Sequence, residues 1–464
     1  MSQPPPVDEA ALAAATGRWL GSTVRVENLR RLSGGASRET WSYDAVDDTS
    51  ARQALVLRRD PGAASQAARA TEFEVLRAAG AAGVLVPEVA FLLDDGDGLG
   101  TGFVMRRVEG ETIPRRILRD DEYRDVRGVL ARQLGEQAAR VHAVPTDSLP
   151  EELPVLGGRE QLDQYRSILD GIGEPHPAFE LALRRLERDV PDPVTPTLVH
   201  GDFRNGNLVV GPEGLRALLD WELTHLGDPA EDLAWCCVRS WRFGNVDQRV
   251  GGFGDVETLL DAYEGAGGTP IDRARLDWWE AFGTLKWGLI CAIQAHTHLS
   301  GLVRSVELAT LGRRIAETEW DVLALLVPDA MAQPAPPEPG GDATPHSLQD
   351  RPSAAELLEA VREFVERDVQ PTLDGREAFH ARVAANALGI VERELVLGPV
   401  VEAPALERIS AVLGRTGTPR ELVTAFATAI REGSVDDRAD DVVDAVVALV
   451  AAKLTIANPK YATT

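Results

Sequence analysis

Residues 198–220 read LVHGDFRNGNLVVGPEGLRALLD. Two apolar runs, 208–210 and 215–219, flank Gly211-Pro-Glu-Gly214, a loop whose glycines and proline suit a hairpin. Pairing Val210 with Leu215 sets Asn207 opposite Leu218 and Asp220 diagonally from Asn207 on one face. Diagonal neighbours lie about 7–8 Å apart, so both side chains reach a single ion between them. An amide oxygen and a carboxylate are hard donors suited to Mg²⁺, which takes few protein ligands and keeps waters or phosphates. Asp202, in a glycine-bearing turn before Asn207, is a third polar group at that end. Phosphoryl transfer needs such a set: metal ligands to neutralise phosphates, and a separate carboxylate to orient or accept the proton of an acceptor hydroxyl. Taken singly, His200-Gly201-Asp202 is an Asx-type turn and Asp220 a strand-end cap. The spacing of the whole set argues for the chemical reading.

The 464 residues, 44% apolar and 26% charged, have the composition of a soluble globular chain of two or three domains. A net charge of −25 argues against gripping a nucleic-acid backbone, so no nucleic-acid partner is expected. Cys236, Cys237 and Cys291 cannot build a disulfide framework and show no metal spacing. The start, MSQPPPVDEAALAAA, lacks the basic and apolar regions of a signal peptide, and no apolar run reaches membrane-span length. A cytoplasmic location without membrane attachment is the expectation. Lysine occurs only at Lys286, Lys453 and Lys460, so a GxxxxGK[ST] phosphate loop is absent. Neither GxSxG nor HExxH occurs, which disfavours a hydrolase.

Along the chain, VRVENLRRL, ETWSYDAV, QALVLRR, PEVAFLL and GFVMRRV read as strands, with a helix over 67–79. Helices are expected at 122–143, 176–189, 229–241, 272–299 and 303–327. A Pro/Gly-rich linker follows at 329–351. Helices then run from a capping box at Ser353 and Glu356, over 377–397, over 419–431, and from Asp437. The expected divisions are 1–108, 109–328, 329–351 and 352–464.

HGDFRNGN, followed by LLDWE and GDPAEDLAW, resembles the aminoglycoside phosphotransferase-like family of small-molecule kinases. RSWRFG (239–244), GGFG (251–254) and FGTLKWG (282–288) resemble its branch of phosphotransferase domains fused to acyl-CoA dehydrogenases. The resemblance covers about 25–330. It implies an α+β, two-lobe protein-kinase-like fold: an antiparallel-sheet N-lobe, a helical C-lobe, and here an added all-α C-terminal domain. It implies ATP as phosphoryl donor and Mg²⁺. Asp202 matches the catalytic base, Asn207 and Asp220 the metal ligands, and His200 a loop-packing residue. Ser33, Gly34 and Gly35 match the nucleotide-covering turn, and Met105 begins the segment matching the interlobe hinge. Arg58 stands where these kinases carry a lysine, and Glu72 matches the helical glutamate that pairs with it. Asp228 reads as a helix N-cap completed by Glu231, while Asp232 matches an aspartate bracing the catalytic turn. Both are supporting residues.

Trp235, Arg239, Trp241 and Arg242 lie just beyond the hairpin. Aromatic and arginine side chains together suit a large, flat or anionic acceptor rather than a polycationic aminoglycoside, and the resemblance to the acyl-CoA-dehydrogenase-linked branch implies a hydroxyacyl-CoA-like metabolite. Buried tryptophans and solvated arginines account for the same residues. Two alternatives stay open: an aminoglycoside-type antibiotic kinase, and a non-catalytic kinase-like binding protein, motivated by the missing lysine. Residues 351–464 resemble a helical domain of unassigned function that trails some of these enzymes. It is expected to pack on the kinase or to self-associate.

Overall fold

The computed structural model describes residues 7–32, 39–60, 66–331 and 352–463. The turn expected at Ser33, Gly34 and Gly35 and nearly all of the expected linker lie outside the described residues. The chain forms α1 (Glu9–Leu20), β1 (Val24–Arg31), β2 (Glu39–Asp47), β3 (Arg52–Asp60), α2 (Gln66–Ala81), β4 (Val89–Leu92) and β5 (Thr101–Arg106). It continues through α3 (Pro114–Arg119), α4 (Arg124–His142), β6 (Val155–Leu156), α5 (Gly158–Ile172) and α6 (Pro177–Arg188). Next come β7 (Thr197–Val199), β8 (Leu208–Gly211), β9 (Gly214–Leu218), β10 (His225–Gly227), α7 (Ala230–Trp235) and α8 (Val256–Gly265). The remaining helices are α9 (Arg273–Leu299), α10 (Val306–Leu311), α11 (Ile315–Leu326), α12 (Ala354–Phe364), α13 (Gly375–Leu413), α14 (Pro419–Glu432) and α15 (Asp440–Ala457).

Two compact units result, Met1–Gly157 with Pro193–Leu276, and Gly158–Asp192 with Asp277–Thr464. These boundaries differ from the expected divisions at 108 and 328.

In the first unit, β1-β2-β3-β5-β4 form one antiparallel sheet. Alternation along β2 and β3 turns Tyr43, Leu55 and Leu57 to a core shared with Leu12 and Ala15 of α1. Asp8 caps α1 by accepting from the amides of Ala10 and Ala11, and Gly21 ends it in the left-handed region. The helix α2 packs Phe73 edge-on against Phe103 of β5, ring centroids 6.0 Å apart. Below the sheet, Glu111 and Val210 exchange backbone hydrogen bonds of 2.8 and 3.0 Å, tying the segment after β5 to the β8–β9 hairpin.

In the second unit, α6 and α11 share one apolar core with the helices that follow the linker. Leu181, Trp320 and Leu323 pack with Ile409, Phe426, Ile430, Val446 and Val450. Asp437 sits among Arg184, Arg185 and Arg188, and Arg431 pairs with Glu180. The Ser353–Glu356 capping box forms as expected. Three helical expectations are corrected. The helix expected at 229–241 stops at Trp235, and 239–242 forms a separate short turn, because Val238 adopts an extended backbone between them. The helix expected at 303–327 is broken at Gly312–Arg314. The helix expected to end near 397 runs on to Leu413 through Pro399 and Pro404, each of which removes a backbone donor without ending it.

Candidate active site

The β8–β9 hairpin departs from the expected register by one residue. Val210 pairs with Leu215, but a bulge between Val209 and Val210 then sets Leu208 opposite Leu218. The amide of Leu219 therefore donates to the Asn207 carbonyl at 2.8 Å, and Asp220 follows directly, with φ 69° and ψ 64°. The left-handed turn at Asp220, rather than diagonal strand pairing, aims its carboxylate. Gln133 of α4 accepts the Leu215 amide at 2.9 Å, and the residue-85 carbonyl accepts the Leu218 amide at 2.8 Å. The hairpin is thus anchored on both sides.

The turn before it is held from below. Asp232 is fully buried; its Oδ2 accepts the His200 amide at 2.8 Å and its Oδ1 the Gly201 amide at 3.0 Å. His142 at the end of α4 contacts Asp232 Oδ2 at 3.2 Å and bonds Tyr263 through its other nitrogen. Gly201 has φ 79°, and a Cβ there would stand 2.4 Å from the Leu223 carbonyl oxygen, so the position needs glycine. His200 is buried against Trp221, ring centroids 4.5 Å apart. Burial lowers its pKa and keeps the ring neutral. Its Nδ1 accepts the Asp202 amide at 3.2 Å, so Nε2–H donates to the Leu219 carbonyl at 3.1 Å.

Both Asp202 carboxylate oxygens are engaged. Arg204 Nε at 2.8 Å and Trp235 Nε1 at 2.7 Å donate to Oδ1, and Asn207 Nδ2 at 2.5 Å donates to Oδ2. Burial pushes the carboxyl pKa up, but the Arg204 charge and these bonds outweigh it and hold the group below its usual range. Because Asn207 turns its nitrogen to Asp202, its Oδ1 is the hard oxygen left for a cation. Asp220 is 35% exposed and offers a carboxylate. This amide-plus-carboxylate pair fits Mg²⁺ completed by phosphates.

Arg58 of β3 pairs with Glu72 of α2 at 3.2 Å, with Asp220, and with Glu222 at 3.4 Å. Burial opposes its charge, but Glu72, Asp220 and Glu222 win and raise its pKa. The arginine thus makes the pairing to Glu72 expected of the usual lysine, and its longer fork also reaches Asp220. Met105 lies buried in β5 opposite Val56.

Three residues expected near the acceptor have partners within the protein. The Trp235 indole N–H is bonded to Asp202, and the buried Trp241 ring lies under Arg204, whose guanidinium carbon is 4.3 Å from the ring centroid. Arg242 donates to the carbonyls of Cys237 and Val246, stapling its own loop. Arg239 is only partly exposed. Asp228 caps α7 through the Ala230 amide, 3.0 Å, and pairs with Arg275. Glu231 contacts His225 Nε2 at 3.1 Å. Arg204 was missed although it lies inside HGDFRNGN. His142 carried no local signal at all.

Residues 28–279 match the phosphotransferase enzyme family (APH), and residues 371–461 match a domain of unknown function (DUF6285). The chain is 28% identical to mouse acyl-CoA dehydrogenase family member 10 over 330 residues, 63% of this chain and 29% of that protein. It is 30% identical to the Arabidopsis thaliana probable acyl-CoA dehydrogenase IBR3 over 226 residues, 44% of this chain and 27% of that one. The chain therefore spans under a third of the length of these relatives. A putative aminoglycoside phosphotransferase from Ralstonia eutropha is similar in fold, with a TM-score of 0.53 and 22% identity, covering 68% of this chain and 98% of that one. The expected α+β, protein-kinase-like architecture with a helical C-terminal region is borne out.

Proposed function

Because the chain belongs to the phosphotransferase enzyme family, we propose that it transfers the γ-phosphate of ATP, with Mg²⁺, to a hydroxyl of a small metabolite. The observation that carries this reading is Asp202: an ionised carboxylate, fixed by Arg204, Trp235 and Asn207, beside the two oxygen donors of the hairpin. Asp202 orients the acceptor hydroxyl and accepts its proton as the oxygen attacks phosphorus. Asn207 Oδ1 and Asp220 hold Mg²⁺, which when bound neutralises charge on the phosphates. Arg58, steadied by Glu72, turns from Asp220 to the nucleotide phosphates, which its planar fork binds bidentately. Ser33, Gly34 and Gly35 would cover the phosphates with backbone amides, and Met105 would line the adenine side. His200 and Asp232 hold the turn.

Both relatives are named as acyl-CoA dehydrogenases, which supports a hydroxyacyl-CoA-like acceptor over an aminoglycoside. The test is ADP formation with 3-hydroxyacyl-CoA thioesters and, in parallel, with aminoglycosides. Asp202→Asn should lower kcat by about 10²–10⁴, the usual worth of a general base. Undiminished transfer by that variant would overturn the assignment. A second reading has one observation behind it. Arg58 already neutralises Asp220, as suits a kinase-shaped protein that binds a metabolite without phosphorylating it. Nucleotide binding without ADP formation on any acceptor would favour it.

A further inference from the structure

Arg58 and a divalent cation need the same group. The Arg58 guanidinium, on β3, lies among three carboxylates: Glu72 at 3.2 Å, Glu222 at 3.4 Å, and Asp220, to which its Nη2 donates. Asp220 is the carboxylate of the Asn207–Asp220 pair. A guanidinium bonded to it places a positive charge where the cation's would be, and two cations sharing one carboxylate repel each other.

Glu72 does not depend on Arg58. Its Oε2 accepts from Arg69 Nη1 at 2.6 Å, one turn earlier on α2. Arg69 Nε also pairs at 2.7 Å with Asp60 Oδ2, at the end of β3. Both Arg69 and Glu72 are buried. Breaking a buried ion pair is costly because it strands a charge. Here Arg69 keeps Glu72 neutralised when Arg58 moves, so that cost is avoided. Glu222, on the short turn that follows Asp220, offers Arg58 a second carboxylate beside the first.

We propose that Arg58 gates the metal site. Its contact with Asp220 bars a divalent cation that arrives alone. Nucleotide phosphates, which a planar fork binds bidentately, draw the guanidinium off and admit the cation with them. A lysine at this position would have neither the fork nor the reach to close Asp220 while paired with Glu72. The gate rests on the reading of Asn207 and Asp220 as metal ligands.

The test is isothermal titration of the full chain, without nucleotide, with Mn²⁺, which takes the same oxygen ligands as Mg²⁺. Arg58→Gln removes the charge, whereas Arg58→Lys keeps it and shortens the reach. Both should bind Mn²⁺ more tightly than the parent, Arg58→Gln by about 5–150-fold, the usual span of a coupling between two sites. Asp220→Asn added to Arg58→Gln should abolish the gain, which locates the cation. The gate is overturned if parent and Arg58→Gln bind Mn²⁺ alike, or if the gain survives Asp220→Asn. It is also overturned if Arg58→Lys matches the parent, since a nearby charge rather than the contact would then explain the gain. Thermal shift of the parent by Mg·ATP, measured in parallel, separates the two failures. With the shift present and no gain, the gate alone falls; with neither, the metal reading falls with it. Should Arg58→Gln fail to fold, Arg58→Lys with and without Asp220→Asn decides alone.

Discussion

Three donors converge on Asp202, and two of them, Arg204 and Trp235, lower its pKa. Trp235→Phe removes one N–H bond and keeps the aromatic volume. Because that bond helps hold the carboxyl below its usual range, its loss should raise the pKa. The acid limb of the pH profile of kcat/KM, where Asp202 takes up a proton, should then move to higher pH, while the neutral plateau falls less. An unmoved limb would show that Trp235 serves packing alone. Arg58 makes a separate prediction. Arg58→Lys keeps a cation beside Glu72 but shortens it, so Asp220 should be less firmly paired in the nucleotide-free chain. Thermal shift by Mg·ATP should persist in Arg58→Lys and vanish in Asp220→Ala. A ligand at 100 times its dissociation constant adds about 2.7 kcal/mol, which such a measurement resolves.

The turn at residues 200–202 is held in place by α7, a helix of six residues. Asp232→Asn would place an NH₂ group against one of two amide donors, from His200 and Gly201, leaving it unsatisfied. A cost of about 1–3 kcal/mol is expected, read as a lower denaturant midpoint with unchanged slope. Gly201→Ala meets the Leu223 carbonyl and a left-handed φ together, and should cost a further 1–3 kcal/mol or so by the same measurement. Activity should fall more than stability in both, since the turn aims Asp202. The elements also show where periodicity fails as a guide. The run 229–241 has helical spacing, yet Val238 extends so that Trp241 can pass under Arg204, a contact between residues 37 positions apart. Likewise the bulge at Val209–Val210, which moves Asp220 out of its expected diagonal, follows from anchoring the hairpin to Glu111, Gln133 and residue 85. None of these partners is near it in sequence.

For the whole molecule, acid should act through Glu319 in the second unit. Its folded pKa of about 2 lies below the unfolded glutamate range, so its stabilisation is full above that range and is lost as pH falls towards 2. The shift corresponds to roughly 3 kcal/mol. Glu319→Gln should therefore flatten the dependence of the unfolding free energy on pH between 5 and 3, with stability at pH 7 reduced. An unchanged slope would remove Glu319 from the account. The same unit carries Lys453, one of three lysines in the chain, paired with a residue 134 positions earlier.

The local sequence was enough to determine the five strands of the first sheet and several of the long helices, though not α1, α5 or α8, together with the capping box at Ser353 and the HGDFRNGN–LLD set with its implied family. Each of these depends on neighbours within a few residues, where periodicity, turn chemistry and motif spacing operate. Only tertiary structure decided that Asp202 is held by Arg204 and Trp235, that His142 backs Asp232, and that Arg58 bridges Glu72 and Asp220. It alone decided that the helices after the linker share a core with α6 and α11. Apart from Arg204, two positions from Asp202, those outcomes join residues more than ten positions apart. Such pairings are set by which buried charges and donors must find partners once the chain is compact, a condition that no local pattern encodes.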